Sequence, residues 1–123
     1  FLKNLPKPES SQTAFIYLDA HWSDDLPLKE ELMIIKDKWP RSIVMIDDFE
    51  VPGDSGYSYD NYGPGKALTF LEFNSFFLEN NFNIYSPKIK SIEESGYKRG
   101  MVILTLDPSL RDVIDKASDL YRH

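Results

Sequence analysis

Three acidic residues stand at positions where carboxylates can hold a divalent cation. Asp19 follows the apolar run Ala14–Leu18, and Asp47 and Asp48 follow a second apolar run, residues 42–46. If these runs are neighbouring parallel strands, their carboxyl ends meet at one edge of the sheet, about 5 Å apart. Carboxylates that close together raise each other's pKa, and a divalent cation relieves the repulsion. Because oxygen ligands select hard cations, the pattern predicts a site for Mg²⁺, Ca²⁺ or Mn²⁺.

These acids also have a purely structural interpretation. An aspartate after a strand commonly caps the next helix or begins a turn. For any one of the three taken alone, capping is the better interpretation. Two adjacent acids facing a third favour a cation site.

His21 and Trp22, which follow Asp19, could also belong to the site. His21 stands two positions after Asp19, which places both side chains on one face of an extended segment. A histidine near neutral pH can take a proton from a hydroxyl, although a solvent-facing or hydrogen-bonded loop histidine is the alternative. Trp22 either walls a cofactor pocket or packs over the next helix.

A long loop follows Asp47 and Asp48. Residues 51–64 contain three glycines and the tyrosines Tyr57, Tyr59 and Tyr62. Loops of this length in compact domains are commonly functional or disordered. The tyrosines are therefore candidates to line an acceptor pocket, with a packed surface loop as the alternative.

The elements around the acids read as strand, helix, strand. Both apolar runs lack polar alternation, as in strands covered on both faces. Between them, residues 28–39 place apolar side chains three and four positions apart, and Pro27 and Pro40 flank this stretch. The distance of 28 residues from Asp19 to Asp47 matches a βαβ unit of about 30 residues, which makes the two strands parallel.

The rest of the chain completes an α/β domain. We expect a helix over residues 66–79, an antiparallel strand pair over 81–89 and 100–106, and a terminal helix over 108–121. The polar residues 1–13, with two prolines, read as a linker or a truncated connection. The 123 residues suffice for one domain.

The amino-acid composition excludes some classes of binding partner. The net charge of −6 and the lack of a basic stripe argue against nucleic acid, and no apolar run reaches membrane-spanning length. With no cysteine, disulfides and thiolate zinc sites are excluded. A reducing cytosol is compatible with this composition, and a cytoplasmic location is our expectation.

The acidic strand ends resemble part of a known enzyme family. The segments 18–22, 26–32 and 46–49 read Leu-Asp-Ala-His-Trp, Leu-Pro-Leu-Lys-Glu-Glu-Leu and Ile-Asp-Asp-Phe. They resemble the stretch from the fourth to the fifth strand of class I S-adenosylmethionine-dependent methyltransferases. The similarity is greatest to the metal-dependent catechol-type and macrocin-type O-methyltransferases, and it extends over roughly residues 14–107.

This resemblance implies a fold, a reaction and residue roles. The chain would be the C-terminal half of a Rossmann-like methyltransferase sheet, and its parent protein would transfer a methyl group to a small-molecule hydroxyl. Asp19, Asp47 and Asp48 would bind Mg²⁺. Asp19 and Trp22 would contact S-adenosylmethionine, and His21 would be the base.

The chain departs from that family in two respects. Ala20 is inserted in the catechol-type Asp-His-Trp motif, and Ser23 replaces the lysine that follows it. The glycine-rich loop and the ribose-binding acid of the family's first half have no counterpart, so we expect the activity to need a missing N-terminal half. A half-sheet exposes an edge, which predicts self-association or low stability.

Other functions remain open. A Mg²⁺-dependent phosphoryl- or glycosyl-transfer enzyme also places acids at strand ends, although the sequence lacks a P-loop. A non-catalytic metal-binding or interaction module is the alternative outside enzymology.

Overall fold

A computed structural model describes residues 2–9, 11–19 and 27–123. Within these ranges the chain alternates strands with helices and then adds an antiparallel strand and a short final strand. The strands are β1 (Ala14–Leu18), β2 (Ser42–Asp47), β3 (Asn83–Pro87), β4 (Met101–Thr105) and β5 (Leu120–Arg122). The helices are α1 (Leu28–Lys38), α2 (Phe70–Glu79) and α3 (Pro108–Ile114).

The strands form one mixed sheet in the order β1-β2-β4-β3-β5. β1 and β2 are parallel neighbours, which confirms the predicted strand–helix–strand unit. β3 and β4 are antiparallel neighbours, also as predicted, and β4 inserts between β2 and β3. This order places the end of β2, with its acids, beside the beginning of β4, because Asp47 is the register partner of Met101.

One face of the sheet carries the main core. Side chains of β2, β3 and β4 meet α1 and α2 there, and Phe49 contacts the rings of Phe70, Phe73 and Phe77 with centroids 5.6 to 5.9 Å apart. The helix α1 buries one apolar stripe, Leu28, Leu32, Ile35 and Trp39. This dense layer fixes the strand ends that bear the acids.

Helix α2 begins four residues later than predicted. Lys66 does not start the helix because its N–H closes a turn onto the Gly63 carbonyl, and Asn61 and Ala67 form an isolated antiparallel bridge. Thr69 is the N-cap, since its hydroxyl accepts a bond from the Glu72 N–H. Local hydrogen bonds in the turn therefore keep residues 66–69 out of the helix, although the apolar periodicity predicted them to be helical.

The predicted terminal helix is wrong beyond Ile114. Tight turns follow α3, with Lys116 N–H bonded to the Val113 carbonyl, and the chain then adds β5 antiparallel to β3. Val113, in the last turn of α3, is 65% exposed. Pairing with the free edge of β3 outweighs continuation of a helix that has little apolar surface to bury.

The opposite edge of the sheet, β1, has no strand beside it among the described residues. Phe15 and Tyr17 are 65% and 49% exposed, so the predicted cover on both faces is not present in the described part of the chain. Before β1, Leu2 and Leu5 pack against the core, and Lys38 Nζ donates to the carbonyl oxygen of each. The N-terminal segment thus contacts the domain.

Within the described ranges, none of the helices has the length and apolar character that crossing a membrane requires.

Candidate metal centre

The three predicted acids converge at one end of the sheet. One carboxylate oxygen from each of Asp19, Asp47 and Asp48 lies within 4.8 Å of the other two. Asp19 is exposed, Asp47 is half-buried and Asp48 is buried. The cluster therefore runs from the surface into the protein, and it lies where the parallel strands β1 and β2 end side by side.

An unusual backbone conformation brings the adjacent pair together. In a regular strand, the side chains of Asp47 and Asp48 would point to opposite faces. Asp48 instead has φ 56°, a left-handed conformation that aspartate tolerates better than most residues. Its carbonyl accepts the Asp60 N–H at 2.9 Å, and its own N–H donates to Asp47 Oδ1 at 3.0 Å. The break in alternation lets both carboxylates reach one volume.

A tyrosine holds the middle acid. Tyr17 donates its hydroxyl to Asp47 Oδ2 at 2.5 Å. This bond, helped by desolvation and the nearby carboxylates, raises the pKa of Tyr17 to about 12. Tyr17 therefore remains a hydrogen-bond donor at neutral pH and orients the Asp47 carboxylate.

The dimensions of the cluster suit a hard divalent cation. The three carboxylate oxygens lie within 4.8 Å of one another, which is close enough for all three to bind one cation at metal–oxygen distances of about 2.0 to 2.6 Å. Three carboxylate oxygens fit Mg²⁺, Mn²⁺ or Ca²⁺ and not a soft metal.

A basic residue absent from the sequence prediction contacts the deepest acid. Arg99 donates through Nε to Asp48 Oδ1 at 2.5 Å, through Nη1 to Ser58 Oγ at 3.2 Å, and through Nη2 to Asp60 Oδ1. The bonds to the two carboxylates raise the pKa of the guanidinium above its usual value, so Arg99 is always charged. It links the acid cluster to the long loop.

Backbone contacts fix the position of that guanidinium. Ser58 forms an isolated parallel bridge with Arg99, and Gly100 N–H donates to the Ser58 carbonyl at 2.9 Å. Gly100 also accepts the Phe49 N–H at 3.1 Å, and a Cβ on Gly100 would lie 2.0 Å from the Phe49 oxygen. A glycine is therefore required where β4 begins beside the acids.

The three loop tyrosines occupy different surroundings. Tyr57 is buried, and its hydroxyl donates to the Ile89 carbonyl at 2.9 Å. Tyr62 donates to Asp60 Oδ2 at 2.8 Å, so it joins the network of Arg99. Tyr59 is exposed and lines a separate surface cavity of about 700 Å³ with residues of α2. The structure thus brings Tyr62 towards the acid cluster and assigns Tyr57 a packing contact.

Two predicted site residues, His21 and Trp22, lie outside the described residues. Arg99 was missed because nothing near it in sequence signals a partner 51 positions away at Asp48. One signal was available: Arg99 stands just before a predicted strand, and an antiparallel strand placed beside β2 begins next to the acids.

Comparisons of the chain with family models, with curated proteins and with solved structures give no match.

Proposed function

We propose that the chain is the C-terminal half of a class I methyltransferase domain that transfers a methyl group from S-adenosylmethionine to a hydroxyl of a small molecule. The observation that carries the proposal is the convergence of Asp19, Asp47 and Asp48 at the ends of adjacent parallel strands. The antiparallel strands β3 and β4 after the second helix agree with the Rossmann-like half-sheet that the sequence resemblance implies.

The chain's own residues have defined tasks in this proposal. A divalent cation held by the three acids would lower the pKa of an acceptor hydroxyl and orient its oxygen. Tyr17 fixes the rotamer of Asp47, and the left-handed backbone at Asp48 aims the second carboxylate. His21 is the proposed base, and Tyr62 is the loop tyrosine best placed to contact an acceptor.

The described residues do not by themselves fit S-adenosylmethionine. At the acid end they offer Asp19, and the glycines with positive φ, Gly63 and Gly65, lie in a turn before α2 and not in a loop after a strand. We therefore assign the cradle of the cofactor to polypeptide outside this sequence and derive no step through the cofactor. The uncovered edge of β1, with Phe15 and Tyr17 exposed, is where such polypeptide would add to the sheet.

A second candidate is a non-catalytic cation-binding module. The same missing cradle favours it, because the acid cluster needs no cofactor to hold Mg²⁺ or Ca²⁺. The two candidates differ in whether S-adenosylmethionine binds.

Calorimetric titration of Mg²⁺ and Mn²⁺ into the chain and into Asp47→Asn tests the cation site. We expect wild type to bind and Asp47→Asn to bind more than about tenfold more weakly, because a ligand is lost. Asp37→Asn, on the exposed side of α1, is the matched control and should bind as wild type does. Equal affinity in Asp47→Asn would refute the cluster as the site.

A second titration, of S-adenosylmethionine into the full-length product of the gene, tests the reaction class. Binding of the cofactor supports the methyltransferase. Cation binding without cofactor binding leaves the cation-binding module.

A further inference from the structure

Arg99 places a permanent positive charge on a carboxylate that the proposed cation would also need. Its three nitrogens contact Asp48, Ser58 and Asp60, and the side chains of Asp48 and Asp60 are only 10% and 14% exposed. Solvent therefore screens these charges weakly. In the cation-free protein, Arg99 is the counter-ion of Asp48.

A divalent cation at the acid cluster would share the Asp48 carboxylate with the guanidinium, and the two positive charges would repel each other. The bond that Arg99 donates to Asp48 Oδ1 would weaken, because the negative charge of Asp48 would be drawn towards the cation. Any weakening also reaches the loop, because the guanidinium holds Ser58 and Asp60 there. The loop has a second attachment to the same acid, the bond from Asp60 N–H to the Asp48 carbonyl.

We propose that Arg99 competes with the divalent cation for Asp48, so that cation binding loosens the loop segment 58–62 and anchoring of this segment weakens cation binding. This inference rests on the proposed cation site. Tyr62 belongs to the segment that would loosen, because its hydroxyl donates to Asp60. By linkage, the two effects are equal in free energy.

The first test compares Mn²⁺ affinities of the chain and its Arg99 variants by calorimetry. Arg99→Met removes the competing charge, and we expect it to bind Mn²⁺ roughly threefold to tenfold more tightly than wild type. Arg99→Lys keeps the charge and should remain close to wild type. Arg111→Met, which removes a half-buried arginine paired with Asp112, is the matched control. A purely structural role for Arg99 predicts the opposite result, weaker binding in Arg99→Met, and that result or an unchanged affinity overturns the proposal.

The second test follows hydrogen exchange of the Asp60 and Leu68 amides, which donate to the carbonyls of Asp48 and Asp60. We expect Mn²⁺ to speed their exchange several-fold in wild type. In Arg99→Met, exchange should already be fast and should not respond to Mn²⁺. Unchanged or slower exchange in Mn²⁺-bound wild type contradicts the coupling.

A third variant, Arg99→Gln, applies if Arg99→Met fails to fold. Its amide can still donate to Asp48 but carries no charge, so Mn²⁺ should bind more tightly than in wild type. Unchanged or weaker binding would overturn the proposal. The failures are distinguishable: a wild-type chain that binds no Mn²⁺ removes the cation site and the coupling together, whereas normal binding with the wrong variant pattern removes the coupling alone.

Discussion

The two ends of the sheet use the same residue type after a strand in opposite ways. Asp107 follows β4 and caps α3, where its carboxylate accepts from Leu110 N–H at 3.1 Å and from the N–H and hydroxyl of Ser109. Asp47, at the end of β2, caps no helix and instead joins Asp19 and Asp48.

The difference between the two ends lies in how many carboxylates share one volume. Asp107 accepts from the N–H groups of its own helix, and Arg41 Nη1 lies 3.8 Å away. The acid cluster holds three carboxylates close together, with Tyr17 and the Asp48 N–H donating to Asp47 and Arg99 donating to Asp48. A strand-end aspartate that caps a helix is therefore structural, whereas strand-end aspartates that gather in one place can share a cation.

The largest expected effect is at the acid end, in Gly100→Ala. The new Cβ would lie 2.0 Å from the Phe49 carbonyl oxygen, so β4 and the segment after β2 must separate. We expect a loss of about 3 kcal/mol in the free energy of unfolding and weaker Mn²⁺ binding. Urea denaturation measures the first and calorimetry the second. Gly96→Ala, with no atom within 4 Å of its added Cβ, should be neutral, and a neutral Gly100→Ala would show that the acid end does not depend on this close approach.

A smaller effect on the free energy of unfolding should distinguish the helix-capping Asp107 from Asp47 of the acid cluster. Asp107→Ala removes a helix cap and should cost about 1 kcal/mol in the free energy of unfolding. Asp47→Asn, measured without a divalent cation, should cost less than half of that, because the lost Tyr17 bond is offset by reduced repulsion in the cluster. Equal losses in urea denaturation would mean that Asp47 is as structural as Asp107.

The smallest effect concerns acid pH. The hydroxyl of Ser109, helped by the N–H groups of the same turn, lowers the pKa of Asp107 below 3.8. A lowered folded-state pKa means that Asp107 stabilises the fold above about pH 3.8 and loses this contribution as the pH falls through its folded value. Asp107→Asn should therefore flatten the acid limb of unfolding free energy against pH. An unchanged limb in urea titrations between about pH 5 and pH 2 would contradict the assignment.

Sequence patterns predicted the parts of the fold that depend on local periodicity. β1, α1 and β2 lie where expected, and α1 ends within one residue of the predicted bound, with Trp39 as its C-cap. The approach of Asp19 to the end of β2 followed from the parallel pairing, whereas the approach of Asp48 also needed its left-handed backbone. Such features need only the spacing of apolar residues and the rules of strand connection.

The features that the sequence analysis predicted wrongly or did not predict depend on contacts between residues distant in sequence. The strand β5 exists because β3 offers it an open edge, and apolar residues near 113–120 gave a helical pattern instead. Arg99 meets Asp48 only after β4 inserts beside β2. The left-handed backbone at Asp48 accompanies the hydrogen bond from the Asp60 N–H to the Asp48 carbonyl. No local sequence motif predicts that bond.

The edge position of β1 among the described strands also affects how readily the protein aggregates at high concentration. Ala14–Leu18 is uncharged, contains no proline or glycine, and is rich in aromatic and β-branched side chains. Segments of this kind template cross-β stacking when they are left unpaired. Where no further strand pairs with β1, chains held at high concentration would form fibrils most readily through this edge, and Phe15→Lys would oppose that growth.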